Sequence, residues 1–236
     1  MSMKIFRKIS KGLGKILLVF FIYSIGLTLI YRLVPVYFTP LMGIRLVEQV
    51  FDKDKALKLD KDWTPIDQIS AHMVQAVVAA EDQKFLDHFG FDVVAIRSAL
   101  KGNQAGKNLK GGSTISNQTA KNVFLWPGRN YLRKGLEAYF TLLIEIFWSK
   151  ERIMEVYLNV IETGEGMYGV EAAAQTFYDK QASQLNRRES AMIAAVLPNP
   201  RRWSPAKPTG YNYQRQSWIL RNMNNLHPVD FGKKNP

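Results

Sequence analysis

Glu81 stands at the end of an apolar stretch and is followed by Asp82, Phe85 and His88, and further on Gly111-Gly112-Ser113-Thr114 opens a glycine-hinged polar loop running through Asn117 and Gln118 to Lys121. A carboxyl group leaving a helix end in apolar surroundings resists ionisation, because desolvation and the helix dipole both disfavour its charge. That is what a general base or acid working near neutrality needs. A helix continuing past Glu81 would put positions 81, 85 and 88 on one face and point Phe85 and His88 at the same space. The glycine pair leaves backbone amides and the hydroxyls of Ser113 and Thr114 free to cradle phosphate oxygens. Lys121, Arg129, Arg133 and Lys134 then supply cations of the kind that hold a diphosphate through charge-assisted hydrogen bonds. The pattern reads as a carboxylate base beside an anion clamp. The plainer reading, in which Glu81 and Asp82 only solvate a helix end and His88 caps a turn, leaves that run of cations without a purpose.

Several elements must position these groups. Ile69, Met73, Val77 and Ala80 recur at helical spacing over 69–82, with Ser70 as cap, so the first acidic pair falls at a helix C-terminus. Residues 101–112 combine glycines and lysines with almost nothing apolar and read as a mobile basic loop. From Arg133 to Asn159 the pattern is helical, broken near Trp148-Ser149-Lys150, where Ser149 caps a second helix. Leu142, Leu143, Ile146 and Phe147 read as core, as do Ile153, Val156, Tyr157 and Leu158, with Glu155 and Asn159 tying helices together. Val93, Val94, Ile96 and Leu100 also read as core packing, in preference to membrane contact. Gly164, Gly166 and Gly169 punctuate a loop, a helix follows through Ala172-Ala173-Ala174, and another spans Arg187–Leu197 before Pro198-Asn199-Pro200. Strand-like alternation is scarce and no repeat is present, so the fold is expected to be mainly α.

The 236 residues allow one sizeable domain plus an appendage. A formal charge of +12 calls for an acidic partner: nucleic acid, an anionic bilayer or a phosphorylated substrate. Having no cysteine excludes disulfides, a thiol nucleophile and thiolate zinc, and the three histidines, 72, 88 and 227, make a histidine metal site improbable. Lys4, Arg7, Lys8, Lys11 and Lys15 precede an uncharged run, Ile16 to Tyr31, and the apolar character carries on to Phe38. A hydrocarbon core of ~30 Å needs about 20 residues at helical rise. The flanking cations place the N-terminus in the cytoplasm and send the rest outward. No small-x-small site follows promptly, which favours a retained anchor over a cleaved signal. The expected organisation is a basic segment at 1–15, an anchor at 16–38, a connector at 39–63 and a globular domain at 64–236. That domain faces away from the cytoplasm, which excludes nucleic acid as the acidic partner.

Glu-Asp-x-x-Phe-x-x-His-x-Gly at 81–90, Gly-Gly-Ser-Thr-Ile-x-x-Gln-x-x-Lys-Asn at 111–122, Arg-Lys-x-x-Glu at 133–137, Lys-Glu-x-Ile-x-Glu-x-Tyr-Leu-Asn at 150–159 and Ala-x-x-Pro-x-Pro at 195–200 occur in this order. Together they resemble the five motifs of the family 51 glycosyltransferases, the peptidoglycan transglycosylases that polymerise lipid II. One anchor with one catalytic domain is similar to the monofunctional members. The resemblance covers about residues 64 to 205 and implies a two-lobed, mainly helical domain with a lysozyme-like larger lobe, behind a transmembrane helix. It implies Glu81 as catalytic base and Glu137 as a second essential carboxylate, Ser113, Lys121 and Arg129 as contacts to the donor's pyrophosphate, and Gln118, Arg133 and Lys134 as residues lining the cleft. Asn117 departs from the family's usual Gln-Gln pair and should keep the amide chemistry with a shorter reach. The implied partners are lipid II and the growing glycan chain, with cell-wall or division proteins also compatible. The implied setting is the bacterial inner membrane with a periplasmic catalytic domain. No cofactor is required. A divalent cation, Mg or Mn, would suit the pyrophosphate, but no carboxylate cluster specifies a metal site. Ser98-x-x-Lys101 imitates a transpeptidase motif, yet the Ser-x-Asn and Lys-Thr-Gly partners are missing. The competing classes are a lysozyme-like lytic enzyme, which needs no cation cluster, and a non-catalytic membrane scaffold, for which Glu81 and Glu137 would be dispensable.

Overall fold

The structure is a computed structural model that describes residues 3–52, 56–104, 112–128 and 130–232. The chain divides into two compact units, residues 1–35 and 36–236.

The first unit is one helix, α1 (Met3–Leu33). Its segment Ser10–Leu33 is long and apolar enough to cross a membrane, with a mean hydropathy of 2.2 over its best window. Helix formation stops at Leu33, so the apolar residues 34–38 do not lengthen the span as the sequence pattern implied.

The second unit begins with elements that the sequence reading assigned to a connector. Thr39 caps α2 (Pro40–Phe51) by accepting a hydrogen bond from the Met42 amide, and Pro40 suits the first helical position, where its missing N–H costs nothing. Leu41 and Met42 are buried while Val47, Val50 and Phe51 stay exposed. The strand β1 (Asp60–Lys61) then joins the fold. Residues 53–55, the rest of the charged patch at Asp52, lie outside the described residues.

Next come α3 (Ala71–Glu81), α4 (Val93–Gln104), α5 (Ile115–Phe124), α6 (Tyr131–Phe147) and α7 (Lys150–Val160). The hairpin β2 (Glu162–Gly164) and β3 (Met167–Tyr168) follows, then α8 (Val170–Tyr178), α9 (Arg187–Val196) and α10 (Gly210–Asn225). The glycine-punctuated stretch after α7, expected to be a loop, is this hairpin: β3 pairs antiparallel with β2 and parallel with β1, in the order β1-β3-β2. Helix α10 had no counterpart in the sequence reading. Of the basic loop expected at 101–112, residues 101–104 belong to α4 and 105–111 lie outside the described residues.

Helix α3 is apolar nearly all round, and Met73, Ala76, Val77 and Ala79 have no more than trace exposure, as a helix buried on most sides requires. It packs against α9 and α10, whereas α5 packs against α6 and α7. These two groups of helices meet where α3 ends. Helix α3 does not run on past Glu81 as one face bearing Phe85 and His88 would demand. Asp82 leaves the helix at φ −161°, and its carboxylate accepts from His88 Nε2 at 3.0 Å and from the Ile115 amide at 3.1 Å. A short carboxylate that finds such partners competes with helix continuation. His88 is thereby turned to Asp82 rather than Glu81. The turn closes at Gly90, whose φ of 77° suits glycine, and where a Cβ would sit 2.8 Å from Thr141 Cγ2.

The core reading holds for α7, where Ile153, Val156, Tyr157 and Leu158 have no exposure. It fails in two places. Leu142 and Ile146 on α6 are 43% and 60% exposed, and Val93 and Val94 on α4 are 54% and 63% exposed. In α6 the inward face is taken by Phe140, Thr141, Leu143, Ile144 and Glu145, which leaves positions 142 and 146, one turn apart, facing outward.

Candidate active site

Helix α5 is the platform of the site. Thr114 caps it, and Asn117 completes a capping box: Thr114 Oγ1 accepts from the Asn117 amide and Asn117 Oδ1 accepts from the Thr114 amide. Asn117 Nδ2 further donates to the Gly90 carbonyl and to Thr141 Oγ1, both at 3.1 Å. At 3% exposure, this side chain fastens α5 to α6 and to the turn after α3. The shorter amide thus serves the frame of the site and leaves substrate contact to its neighbours.

Gln118 and, about one turn on, Lys121 project from the same side of α5 toward the end of α3. Gln118 Nε2 donates to Glu81 Oε2 at 3.0 Å, and Arg215 Nη2 of α10 donates to Glu81 Oε1 at 3.1 Å. Tyr157 of α7 makes a long 3.5 Å contact from its hydroxyl to Gln118 Oε1. Burial pushes this phenol well above its ordinary range. It therefore remains a neutral donor, and it turns the Gln118 amide so that the NH2 end faces Glu81. Burial also raises Glu81 itself, opposed by the Gln118 hydrogen bond, by the charge and hydrogen bond of Arg215 and by the charge of Lys121. A carboxylate shifted upward in this way is suited to take up a proton.

Glu81, Gln118, Lys121 and Arg133 line one cavity of about 450 Å³, whose walls include Trp126, Pro198 and Pro200. Leu41 and Arg45 of α2 also line it, so the stretch read as a connector contributes to the site. Lys121 has its pKa lowered, first by burial, with Glu137 pulling it up and Arg133 pushing it down. No ion pair within 4.0 Å holds Lys121 among the described residues. A half-buried ammonium facing a cavity without a carboxylate partner is a ready anion contact.

Glu137 lies behind that wall. Arg133 Nη1 donates to its Oε2 at 2.8 Å, and Lys134 Nζ donates to its Oε1. The carboxylate side chain is 5% exposed, against 9% for Arg133 and 58% for Lys134. Glu137 thus holds the guanidinium at the cavity rim. Ser113 is exposed and lines a second hollow with Asp92, Thr114 and Trp218, on which Glu81 also borders. The structure therefore brings Glu81, Gln118, Lys121 and Arg133 together, with Glu137 and Lys134 one contact away and Ser113 across Glu81. Arg129 lies outside the described residues.

Glu155 and Asn159 tie the fold together as read. Asn159 Oδ1 accepts from the Thr64 amide and its Nδ2 donates to the Thr64 carbonyl, both at 2.8 Å, while Glu155 accepts from the Ile66 amide. Two functional groups escaped the sequence reading. Tyr157 is core by burial but polar at its tip. Arg215, 134 positions from Glu81, sits on a helix outside every motif, with no local signal to separate it from other surface arginines.

Among the described residues no group of three or more His, Asp or Glu could hold a metal ion. Glu81 and Glu137 each accept from cationic side chains, and Lys121 and Arg133 give the cavity donors suited to phosphate oxygens.

A family model described as Transglycosylase matches residues 48–224. A biosynthetic peptidoglycan transglycosylase of Bdellovibrio bacteriovorus is 53% identical over 210 residues, covering 89% of this chain and 84% of that protein. Proteins of the same name from Pseudomonas fluorescens and Bacteroides thetaiotaomicron are 48% and 50% identical, over 95% and 92% of this chain and 93% and 88% of their own lengths. The matched span begins inside α2, after Leu41 and Arg45, and ends within α10, so it takes in Glu81, Gln118, Lys121 and Arg133, and this chain belongs to the transglycosylase family.

Proposed function

We propose that this protein is a peptidoglycan glycosyltransferase that polymerises lipid II into β-1,4 glycan with release of undecaprenyl diphosphate. The observation that carries the reading is that Glu81 and Lys121 face one cavity, a base with raised pKa beside a cation that lacks a carboxylate partner among the described residues. The relatives' printed name supports the substrate class.

The reaction joins the 4-hydroxyl of lipid II's glucosamine to the anomeric carbon of the terminal muramyl sugar on the growing chain. Glu81 takes the hydroxyl proton as the O4–C1 bond forms and the C1–O bond to the diphosphate breaks, with its electron pair leaving on the phosphate oxygen. Lys121 and Arg133 offset that developing charge, Arg133 being aimed by Glu137. A single displacement inverts the anomeric centre, so an α-linked lipid donor gives a β-linked product. The cations favour this reading over glycan cleavage, because a lytic enzyme expels no diphosphate. No step is routed through a divalent metal.

The helix at Ser10–Leu33 holds enzyme and lipid substrates to the same surface, which raises their effective concentration. The cations before it orient the catalytic unit outward from the cytoplasm, which supports an inner-membrane location with the site in the periplasm. The deciding experiment is lipid II polymerisation by the wild type beside Glu81→Gln. The variant should lose activity on the order of 10²- to 10⁴-fold. Glycan synthesis at the wild-type rate would refute the assignment.

A further inference from the structure

Arg215 reaches Glu81 from the last helix of the chain. Its Nη2 donates to Oε1 of the carboxylate at 3.1 Å while Gln118 donates to Oε2 at 3.0 Å, so both oxygens are fixed by donors from different helices. Each oxygen still keeps a lone pair for a substrate proton. Arg215 lines neither the cavity shared with Lys121 nor the hollow that holds Ser113. The guanidinium stands behind the carboxylate, with its Nε buried and without a partner. A diphosphate in the cavity would meet Lys121 and Arg133 before it met Arg215.

We infer that Arg215 is a positioning residue for the transfer reaction: from behind the site it keeps Glu81 ionised and aims it, and it does not bind the diphosphate. This rests on the reading of Glu81 as the base. Burial drives Glu81 toward its neutral form, and a protonated carboxyl group accepts no proton from a sugar hydroxyl. Among the described residues, Arg45, Lys121, Arg133 and Glu162 line the Glu81 cavity, and Lys84 and Asp92 border the hollow beside it. On its own side Asp82 is turned to His88 and the Ile115 amide. Helix α5 contributes Lys121, α7 the neutral phenol of Tyr157, and α10 contributes Arg215. On α9, which also packs on α3, Arg187 bonds Asn224 and Glu189 pairs with Lys180. Among these, Arg215 alone joins a full charge to a direct hydrogen bond on Glu81. Lys cannot reproduce the planar fork.

The test is the pH dependence of lipid II polymerisation by the full-length protein in detergent, for the wild type, Arg215→Gln and Arg215→Lys, with Glu81→Gln as control. In Arg215→Gln the acidic limb of kcat/KM should move to higher pH, with the rate measured on that limb down about tenfold for each unit of displacement. KM should stay within about twofold, and activity should recover as the pH is raised. Arg215→Lys should lie between the two. Arg215→Met, which keeps much of the side-chain bulk, replaces the Gln variant if that one does not fold. A limb that does not move while activity drops at every pH marks a purely structural role and overturns the inference. A raised KM with kcat unchanged marks a diphosphate contact and overturns it equally. If Glu81→Gln itself polymerises lipid II, the base assignment fails whatever Arg215 does. If Glu81→Gln is inert and the limb stays put, only the role of Arg215 falls.

Discussion

Glu81 is a residue whose usefulness conflicts with its stability. Burial raises its carboxyl above the ordinary value of 4.5, so the folded state favours the protonated form. With the folded pKa above the unfolded one, the stabilising contribution is fully present below about pH 4.5 and is lost as pH climbs through the raised folded value. Glu81→Gln cannot titrate and escapes that loss. The difference in Tm, wild type minus variant, should therefore fall as pH rises from about 4.5 through the raised folded value when followed by thermal denaturation. A difference that stayed flat would mean that Arg215 and Gln118 offset the desolvation completely. Lys121 carries the opposite sign: its lowered pKa gives a contribution present above its ordinary 10.5 and lost as pH falls through the folded value. Burial thus opposes the charge of both groups, and a bound anion would favour the charged form of the lysine.

At the scale of elements, the groups of the site are held by frames of differing legibility. Helices α3 and α7 were readable because local chemistry marks their ends, with Ser70 and Ser149 each accepting a bond from a helical amide, whereas the stretch that forms α5 behind its Thr114 cap reads in sequence as a polar loop. The acid at the end of α3 followed from the apolar run before it, while the common side of Gln118 and Lys121 came only with the helix that the polar segment forms. Where the fold answers to distant partners, the sequence was silent. Asp82 ends α3 because Ile115 and His88 wait for it in space, and Arg215 meets Glu81 only across 134 positions of chain. Asn117 shows both sides: its capping role is local, but its bonds to Gly90 and Thr141 are tertiary. Asn117→Ala should strip one cap and leave a buried carbonyl and hydroxyl short of a donor, at a cost of about 2–4 kcal/mol. Chemical denaturation would register this as a lower midpoint with an unchanged slope. Because Asn117 does not reach the cavity, the folded variant should retain its KM for lipid II; a large rise in KM would place the amide in substrate binding.

On the scale of the whole molecule, the exposed apolar side chains of the second unit ask for a partner surface. Besides Leu142 and Ile146 on α6 and Val93 and Val94 on α4, Phe89 is 56% exposed, and its neighbour Gly90 packs onto Thr141 and Glu145 of α6. That contact brings Phe89 to the stretch of α6 that carries Leu142 and Ile146. Exposed single residues are ordinary, but large apolar side chains gathered on neighbouring segments are usually covered by something. In a chain with a helix fit to span a bilayer, and a proposed substrate with a lipid tail, lipid is the economical cover. The unit spanning residues 36–236 has its own buried core, so it can be examined without α1. It should co-sediment with anionic liposomes, partly through its basic charge and partly through this surface. Leu142→Ser with Ile146→Ser should weaken that partition on the order of tenfold, since burying one such side chain is worth about 1.5–3 kcal/mol and each is already partly covered. Added salt would weaken the remainder by screening. Both positions face solvent in the fold, so stability should change by less than about 0.5 kcal/mol per substitution. Unaltered partition by a stably folded double variant would remove α6 from the bilayer contact and leave α1 and the charge to hold the protein at the membrane.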